Sequence, residues 1–297
     1  MAQASGNKGG RQDRGFAVAL AAPAVLIMAL FGLFPLLYSI VVSFQRLTLT
    51  ASDTGFAGLA NYVRLFEDGR FGLALAHTFA IAAVALPLQL GLGMALALHF
   101  LEDRPLKRLF VALLIIPTVV SPMVAGSMWR LMFDDRFGPI NQMIGWLAGE
   151  RVSILWAIDP RFAYPAIIIC DVWQWTPFMF LILLAALSNV DHEQQEAAAL
   201  DGASKWQIFC FVTLPAIMPI VSIALLIRSL DLLRIFDIVW QLTRGGPGTS
   251  TETISIYAYV RGFQEFDTSF VGALVVVLVI ALSALLMAAL RRLEVAR

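Results

Sequence analysis

The stretch FVGALVVVLVIALSALLMAAL, residues Phe270–Leu290, contains no charged side chain. A helix needs about 20 mostly apolar residues to cross the hydrocarbon core of a membrane. Five similar runs precede it, with predicted bounds Phe16–Phe44, Ala76–Phe100, Leu109–Phe133, Pro165–Leu187 and Ile217–Trp240. The sequence therefore predicts an all-α, polytopic membrane protein, with six transmembrane helices in a single transmembrane domain over residues 1–297.

The overall composition supports a membrane protein. Of the 297 residues 59% are hydrophobic and 14% are charged, whereas soluble domains average about 45–50% and about 25%. The formal net charge is zero, so nothing favours a nucleic-acid partner. The first apolar run is too long for a cleavable signal peptide, and no small-residue cleavage site follows it.

The distribution of basic residues predicts the orientation in the membrane. Lysine and arginine near the ends of spans concentrate on the cytoplasmic side. Three such groups fall on one side if there are six spans: Lys8, Arg11 and Arg14; Arg104, Lys107 and Arg108; and Arg291, Arg292 and Arg297. We therefore expect both termini, including a tail at residues 1–15, to be cytoplasmic, and a multi-pass location in the cytoplasmic (inner) membrane.

Prolines within the predicted spans favour bent helices, because each proline removes a backbone donor. The alternative is that membrane helices tolerate these prolines without any functional consequence. The prolines concerned are Pro23, Pro35, Pro87, Pro117, Pro122, Pro177 and Pro219.

The polar segment EQQEAAALDGASKWQIFCFVTLP, Glu193–Pro215, separates the fourth and fifth runs and is predicted to be cytoplasmic. It begins with good helix formers, and Gly202 suits a helix end with positive φ. Asp201 and Ser204 can cap a new helix. We expect that helix to lie along the membrane surface, with re-entry at Leu214 and Pro215. The small alanine face invites docking of another surface.

The order of residues in this segment resembles the EAA loop of ABC-importer permeases. The matching residues are Glu196-Ala197-Ala198-Ala199-Leu200-Asp201-Gly202-Ala203 and, later, Leu214-Pro215. Phe137-Gly138-Pro139-Ile140-Asn141, and Phe236-Asp237 through Leu242-Thr243-Arg244-Gly245-Gly246-Pro247, are similar to the carbohydrate-uptake branch. The resemblance runs from about Pro35 to the C-terminus and is closest to maltose- and glycerol-phosphate-type permeases. The preference for arginine over lysine is compatible with an actinobacterial trehalose-type importer.

The resemblance implies a type I ABC-importer permease fold, in which residues 189–216 form a cytoplasmic loop that couples a separate ATPase to the membrane helices. Glu196 would make the charged contact, Ala197 and Ala198 the packing face, and Gly202 the turn; Asp201, Leu214 and Pro215 complete the motif.

The implied function is import of a mono- or oligosaccharide by alternating access. The implied partners are a second homologous permease, an ATPase dimer and an extracytoplasmic binding protein. This chain has no G-x-x-x-x-G-K-[ST] phosphate loop. It is therefore expected to be neither an enzyme nor the holder of a cofactor, with ATP and Mg²⁺ bound by the ATPase.

Charged residues at membrane depth are the candidates for a substrate pathway. Arg228, Asp231, Arg234 and Asp237 recur every three residues, so they form either a polar lining or a self-neutralising ladder. Asp171, Gln174, Arg228, Asp231 and Arg234 are the predicted pathway residues. Trp173, Trp175 and Trp240 either stack on a sugar or belong to an interfacial belt.

Three other functions compete with this interpretation. An intramembrane zinc enzyme would need more ligands than His192-Glu193-Gln194-Gln195-Glu196 supplies, so no metal site is expected. A secondary transporter driven by an ion gradient would leave the EAA-type loop without a role, and repeated halves are not evident. A purely structural membrane subunit is the third alternative.

Overall fold

The computed structural model describes residues 20–47, 55–102 and 105–295. The predicted tail at residues 1–15 and the beginning of the first predicted span lie outside these ranges, as do five of the basic residues used for orientation: Lys8, Arg11, Arg14, Arg104 and Arg297. Over the described residues the fold is helical apart from one antiparallel pair of short strands, β1 (Gln45–Arg46) and β2 (Gly55–Phe56).

Twelve helices follow one another along the described residues. In chain order they are α1 (Leu20–Ser43), α2 (Ala60–Glu67), α3 (Gly69–His99), α4 (Lys107–Val119), α5 (Pro122–Met132), α6 (Pro139–Ala148), α7 (Pro160–Ser188), α8 (His192–Leu200), α9 (Lys205–Leu233), α10 (Asp237–Leu242), α11 (Ile254–Tyr259) and α12 (Thr268–Val295). Five of them are long and apolar enough to cross a membrane, and the bent pair α4 and α5 makes a sixth if counted as one span. This agrees with the six predicted spans.

The chain divides into two compact units. One combines the described residues of Met1–Glu67 with Arg261–Ala281, and in it Asn61 donates to two backbone carbonyls at and just beyond the end of α1, at 2.8 and 2.9 Å. The other combines Asp68–Val260 with Leu282–Arg297. Helices α3, α7 and α9 pack together in this second unit, which also contains both functional candidates described below.

The long helices α3 and α7 begin earlier than the predicted spans because aspartates cap them. Asp68 accepts a hydrogen bond from the backbone N–H of Arg70, and Asp159 accepts one from that of Arg161, both at 2.9 Å. Aspartate is a preferred N-cap because its carboxylate satisfies a free N–H of the first turn. The side-chain hydrogen bond from Arg161 also lowers the pKa of Asp159 from its ordinary value.

The third predicted span, Leu109–Phe133, is not one straight helix. It consists of α4 and α5, bent by 98°. Pro122 explains the break, because a proline disfavours the helical conformation in the residue before it, and Ser121 has φ −58° and ψ 138°. The expectation of bending is thus met here, whereas Pro87 and Pro177 lie inside continuous helices.

The fifth predicted span, Ile217–Trp240, is wrong at its C-terminal end. Helix α9 stops at Leu233, and α10 starts only after a short non-helical link. The link contains neither proline nor glycine, so the local sequence does not signal it. A distant residue does: the hydroxyl of Thr253 donates to the carbonyl of Ile235 at 3.0 Å, and so satisfies a group that a continuing helix would have bonded.

Helix α3 packs against its neighbours through one stripe of residues. The buried positions recur every three or four residues, as expected for one face of a helix. They are Phe71, Ala74, Thr78, Ile81, Ala85, Gln89, Gly93 and Ala97. Gly93 is a point of close approach to α7, since a Cβ atom there would lie 2.8 Å from Met179 Cβ and 3.0 Å from the backbone nitrogen of Phe180.

Gly93→Ala is therefore expected to lower the free energy of unfolding by about 1–3 kcal/mol, as overpacking in a close-packed interior does. Gly91 on the same helix is the matched control, because outside its own stretch of helix no atom of the described residues lies within 4 Å of a Cβ placed there. Gly91→Ala should be neutral or stabilising by about 0.5–1 kcal/mol. Thermal unfolding of the detergent-solubilised proteins measures both. Equal effects of the two substitutions would contradict the close contact of α3 and α7.

Candidate functional site

A buried polar cluster joins α3, α7 and α9. Arg228 Nη2 donates to both carboxylate oxygens of Asp171, at 2.7 and 2.8 Å. Arg228 Nε donates to Gln89 Oε1 at 3.0 Å, and Gln89 Nε2 donates to Asp171 Oδ2 at 2.6 Å. Each of the three residues is at most 2% exposed. This buried triangle (Gln89, Asp171 and Arg228) gives each charge an opposite charge and hydrogen bonds, as two ions away from water require.

Gln89 is a member that the sequence interpretation missed. Its signal was present, since Gln89 is the polar side chain nearest the centre of the second predicted span. The charge of a residue at membrane depth does not reveal Gln89, because an amide is uncharged. An amide can both donate and accept, and here it does both, bridging the two charged partners.

The predicted ladder of charges along the fifth span forms only in part. Arg234 pairs with Asp231 at a spacing of three residues. Arg228, by contrast, lies 3.9 Å from Asp231 but 2.7 Å from Asp171, so its close partner is on another helix. Asp237 lies beyond the end of α9, and within the described ranges it makes no ion pair. The ladder alternative therefore holds in part for Arg228, whose nearer partner is Asp171, and it is wrong for Asp237 within the described ranges.

Gln174 makes its hydrogen bonds at the bend between α4 and α5. Its Nε2 donates to the backbone carbonyl of Val120 at 2.8 Å, at the bend between α4 and α5, and the hydroxyl of Thr118 donates to the carbonyl of Gln174 at 3.0 Å. Gln174 Oε1 is buried and finds no hydrogen-bond partner among the described residues. Gln174 thus stabilises the bend, and it is not among the residues that line the cavity.

A cavity of about 440 Å³ lies beside the buried triangle. It borders four of the five predicted pathway residues. Its lining consists of Pro122, Asp171, Trp175, Arg228, Asp231, Arg234, Ile235, Phe236, Asp237 and Ile238. The break after α9, which the sequence interpretation missed, brings Phe236 and Asp237 to this cavity together with the end of the helix.

Two aromatic rings border the same cavity. Trp175 lies below Arg228, whose Cζ atom is 4.6 Å from the ring centroid, within cation–π distance. Phe236 stacks on Trp240 with centroids 5.6 Å apart and an interplanar angle of 11°. Trp173 is not part of this wall, because it packs edge-on against Trp129 in the apolar core. The cavity therefore combines charged groups of both signs with aromatic surface.

The short helix α8 is the second candidate site. The side chain of Asp191 caps it by accepting from the backbone N–H of Glu193 at 2.9 Å. Glu196 and Ala197 are exposed, Ala198 is half-buried, and Leu200 is 89% exposed. A capped helix that leaves a carboxylate, alanines and a leucine uncovered offers a surface for another protein.

The turn after α8 has the predicted glycine geometry. Gly202 has φ 84°, the left-handed region that side chains disfavour, and the next N–H bonds back to the carbonyl of Ala198 at 3.0 Å. Ser204 caps the new helix through a capping box with Gln207. The expected capping role of Asp201 is wrong, because Asp201 ends α8.

The expected surface helix with a later re-entry is also wrong. Helix α9 runs without interruption from Lys205 to Leu233, so Leu214 and Pro215 lie inside it. A π-helical turn, Phe209–Thr213, precedes the proline. The missing N–H of a proline leaves one carbonyl unbonded in the preceding turn, and a wider turn accommodates this.

One hydrogen bond ties the exposed helix to the long one. Gln195 Nε2 on α8 donates to Thr213 Oγ1 on α9 at 3.3 Å. Gln195 directly precedes Glu196, and Thr213 directly precedes Leu214, so this bond joins the two parts of the motif. It connects α8 directly to a helix that is long enough to cross a membrane. Trp206 and Phe211, at 71% and 78% exposure, leave this part of α9 uncovered.

The two other motif stretches have structural roles. A Cβ atom on Gly138 would overlap the carbonyl oxygen of Asp134, so only glycine fits at the start of α6. Asn141 donates to the carbonyl of Ile154 at 3.0 Å and accepts from Trp156 Nε1 at 2.9 Å.

The stretch after α10 forms a compact loop. The hydroxyls of Thr243 and Thr251 lie 2.7 Å apart, and Thr251 also donates to the carbonyl of Gly246 at 2.7 Å. The next residue, Glu252, accepts two hydrogen bonds of 2.7 Å from Arg70 at the start of α3. The loop is therefore anchored to the helix that carries Gln89.

Long apolar helices that enclose paired charges and a polar cavity define an integral membrane protein of the transport class. The family model described as "Binding-protein-dependent transport system inner membrane component" matches residues 88–295. Since this is more than half of the chain, the protein belongs to that family. It is a multi-pass permease subunit of an ABC importer, a transport component and not an enzyme.

Individual relatives agree with the family. The probable ABC transporter permease protein y4oQ of Sinorhizobium fredii is 38% identical over 267 residues, covering 88% of this chain and 85% of that protein. The trehalose/maltose transport system permease protein MalF of Thermococcus litoralis is 32% identical over 237 residues, covering 80% of each.

A solved structure shows the same fold. It is a bacterial ABC transporter involved in the import of the acidic polysaccharide alginate, with a TM-score of 0.82 and 21% identity over 95% of this chain and 96% of that chain. The importer-permease fold that the sequence motifs implied is therefore confirmed.

Proposed function

We propose that this permease moves a sugar into the cytoplasm by alternating access. In this proposal both termini and the segment at residues 189–216 are cytoplasmic, in the cytoplasmic (inner) membrane. The chain works with a second homologous permease, an ATPase dimer and an extracytoplasmic substrate-binding protein. ATP and Mg²⁺ are bound by the ATPase, since this chain has no phosphate loop.

The observation that carries the proposal is the exposed helix α8 and its attachment. A docking element must be uncovered, must hold its shape, and must be connected to the part that moves. The cap at Asp191 and the turn at Gly202 fix the ends of α8, while the bond from Gln195 to Thr213 connects it to α9. Glu196, Ala197 and Ala198 would meet the ATPase, and Asp201, Leu214 and Pro215 would shape the surrounding motif.

The other end of α9 supports a pathway for a solute. Arg228, Asp231 and Arg234 border the cavity in the last two turns of α9 and just after them. A displacement of α8 would therefore reach the cavity along a single continuous helix. Alternating access is an equilibrium between two states of the transporter, and a ligand shifts it only by binding one state more tightly than the other. In this proposal the two states are those with the ATPase ATP-bound and nucleotide-free.

The cavity also suits a sugar. Carboxylate and guanidinium groups can bond hydroxyls as acceptors and donors, and the rings of Trp175 and Phe236 provide apolar surface. Relatives support a carbohydrate in general, because one is named for trehalose and maltose and a structural match belongs to an importer of alginate. The first name refers to neutral sugars, and the second refers to an acidic polysaccharide.

Reconstitution tests the proposal. The tagged chain is purified gently from its native membrane together with what binds it, co-purifying proteins are identified by mass spectrometry, and the complex is placed in proteoliposomes. We expect a second permease and an ATPase, and uptake of radiolabelled maltose or trehalose that requires ATP and the binding protein. Uptake driven by a proton or sodium gradient without ATP would support the secondary transporter instead. A tight complex without sugar-dependent ATP turnover would support the structural subunit.

A further inference from the structure

The cavity beside the buried triangle carries one more aspartate than arginine. Its charged lining residues are Asp171, Arg228, Asp231, Arg234 and Asp237. Three carboxylates and two guanidinium groups leave a formal charge of −1 on this wall. The distribution of the pairs shows which group carries the excess.

Both arginines are already neutralised by neighbouring carboxylates. Arg228 is 2% exposed and donates to both oxygens of Asp171, while Arg234 pairs with Asp231. A solute with a fixed negative charge would therefore meet no guanidinium group that lacks a carboxylate partner, and a close ion pair with either arginine would compete with that partner. For Arg228 this would leave Asp171 buried without its counter-charge, a costly arrangement.

Asp237 carries the excess charge. It is half-buried, it lines the cavity, and it makes no ion pair or hydrogen bond through its side chain with any residue in the described ranges. It lies in the first turn of α10, directly after the break that ends α9. Its carboxylate oxygens are therefore available to accept hydrogen bonds from a solute, and their charge opposes an anion.

The hydrogen-bonding and aromatic groups of the wall favour a polyhydroxyl solute. The exposed Arg234 retains N–H donors beyond its bond to Asp231, so hydroxyls find both donors and acceptors here. Phe236 and Trp175 belong to the same lining and add aromatic surface to it. A polyhydroxyl solute can bond the polar groups and pack on the rings without breaking an existing ion pair.

We infer that this cavity selects uncharged polyhydroxyl solutes over anionic ones, and that Asp237 is the specificity-determining residue. The inference rests on the proposed function and narrows its substrate class to neutral sugars. At an effective permittivity of ~20, a like charge about 6–12 Å away weakens binding of an anion by about 10- to 100-fold.

The test compares maltose with maltobionate, which carries one added carboxylate and in which the oxidised sugar ring is open. Comparing the ratio of the two dissociation constants between wild type and Asp237→Asn separates the effect of the charge from that of the open ring. Maltose and maltobionate, its carboxylate-bearing oxidation product, are titrated onto the complete importer in lipid nanodiscs, without binding protein, and dissociation constants are measured by saturation-transfer NMR. We expect maltobionate to bind wild type at least about tenfold more weakly than maltose. Asp237→Asn should reduce that ratio at least about threefold, because it removes the repelling charge while keeping the size of the side chain.

A matched control separates the local charge from the net charge of the protein. Glu150 is exposed and lies outside the cavity, so Glu150→Gln removes the same charge and should leave the ratio unchanged. Equal or tighter binding of maltobionate to wild type, or an unchanged ratio in Asp237→Asn, would overturn the inference.

Failure of the inference and failure of the proposed function give different results. An importer that takes up maltose with ATP but shows no maltose binding in this assay would overturn the inference alone. A reconstituted complex that takes up no sugar at all would count against the proposed function itself.

Discussion

Replacing Arg228 with methionine is expected to lower the free energy of unfolding by about 3–5 kcal/mol, because it leaves a buried carboxylate without its counter-charge. Asp171 is 1% exposed and has Arg228 at 2.7 Å. The remaining partner, Gln89, supplies one N–H to a carboxylate oxygen at 2.6 Å but no charge. Chemical unfolding of the purified permease, followed by the fluorescence of its tryptophans, measures the loss.

Two further variants show whether the pair is the cause. Arg234→Met is the matched control, because Arg234 also pairs with an aspartate but its side chain is 77% exposed. Exposed pairs contribute about 0–1 kcal/mol, so little loss is expected. The double variant Arg228→Met with Asp171→Asn should recover more than half of the loss, since no buried charge remains. A double variant as unstable as Arg228→Met alone would show that packing of the long side chain dominates.

Glu196→Lys is expected to abolish ATP-driven uptake while leaving the protein inserted in the membrane. Glu196 is exposed on α8 and makes no side-chain hydrogen bond within the part of the chain that the structure describes, so we expect the charge reversal to act on a partner and not on stability. Gly202→Asp should also abolish uptake, because at φ 84° a side chain costs about 1–2 kcal/mol and redirects the helix. Uptake in proteoliposomes, ATPase activity and the amount of protein in membrane fractions are measured together.

The control for Glu196→Lys is Gln194→Lys on the same helix. The two positions are two residues apart, which places them on nearly opposite sides at about 3.6 residues per turn. Gln194 is exposed as well, and the lysine there should leave uptake within about twofold of wild type. Undiminished uptake in both Glu196→Lys and Gly202→Asp would remove the assignment of α8 as the coupling element. Equal loss in Gln194→Lys would point to a general effect of positive charge.

Much of the fold could be predicted because membranes impose simple requirements. A long apolar run such as Phe270–Leu290 must be helical in lipid, since every backbone group needs an internal partner. Local chemistry also decided the turn at Gly202 and the break before Pro122, and both are visible in the sequence. The exposed helix α8 followed from its helix-forming residues and its flanking capping residues.

The candidate cavity depends on contacts between residues far apart in the chain. The local pattern of charges favoured pairing of Arg228 with Asp231, three residues away, yet Asp171 on another helix lies closer. Gln89 completes that cluster from a third helix. No periodicity reveals such a triangle, because it exists only where three helices pack.

The sequence by itself thus determined the number of spans, the helical class and the exposed EAA-type motif, since apolar length, prolines, glycines and caps act within a few residues. Only the tertiary structure decided where α9 ends and which charges meet. The hydroxyl of Thr253, far along the chain, bonds the carbonyl of Ile235 in the link after α9. The break in the helix brings Asp237 to the cavity, where its side chain has no partner among the described residues. The physical reason is that a buried polar group must be satisfied by whatever the packed helices bring near it.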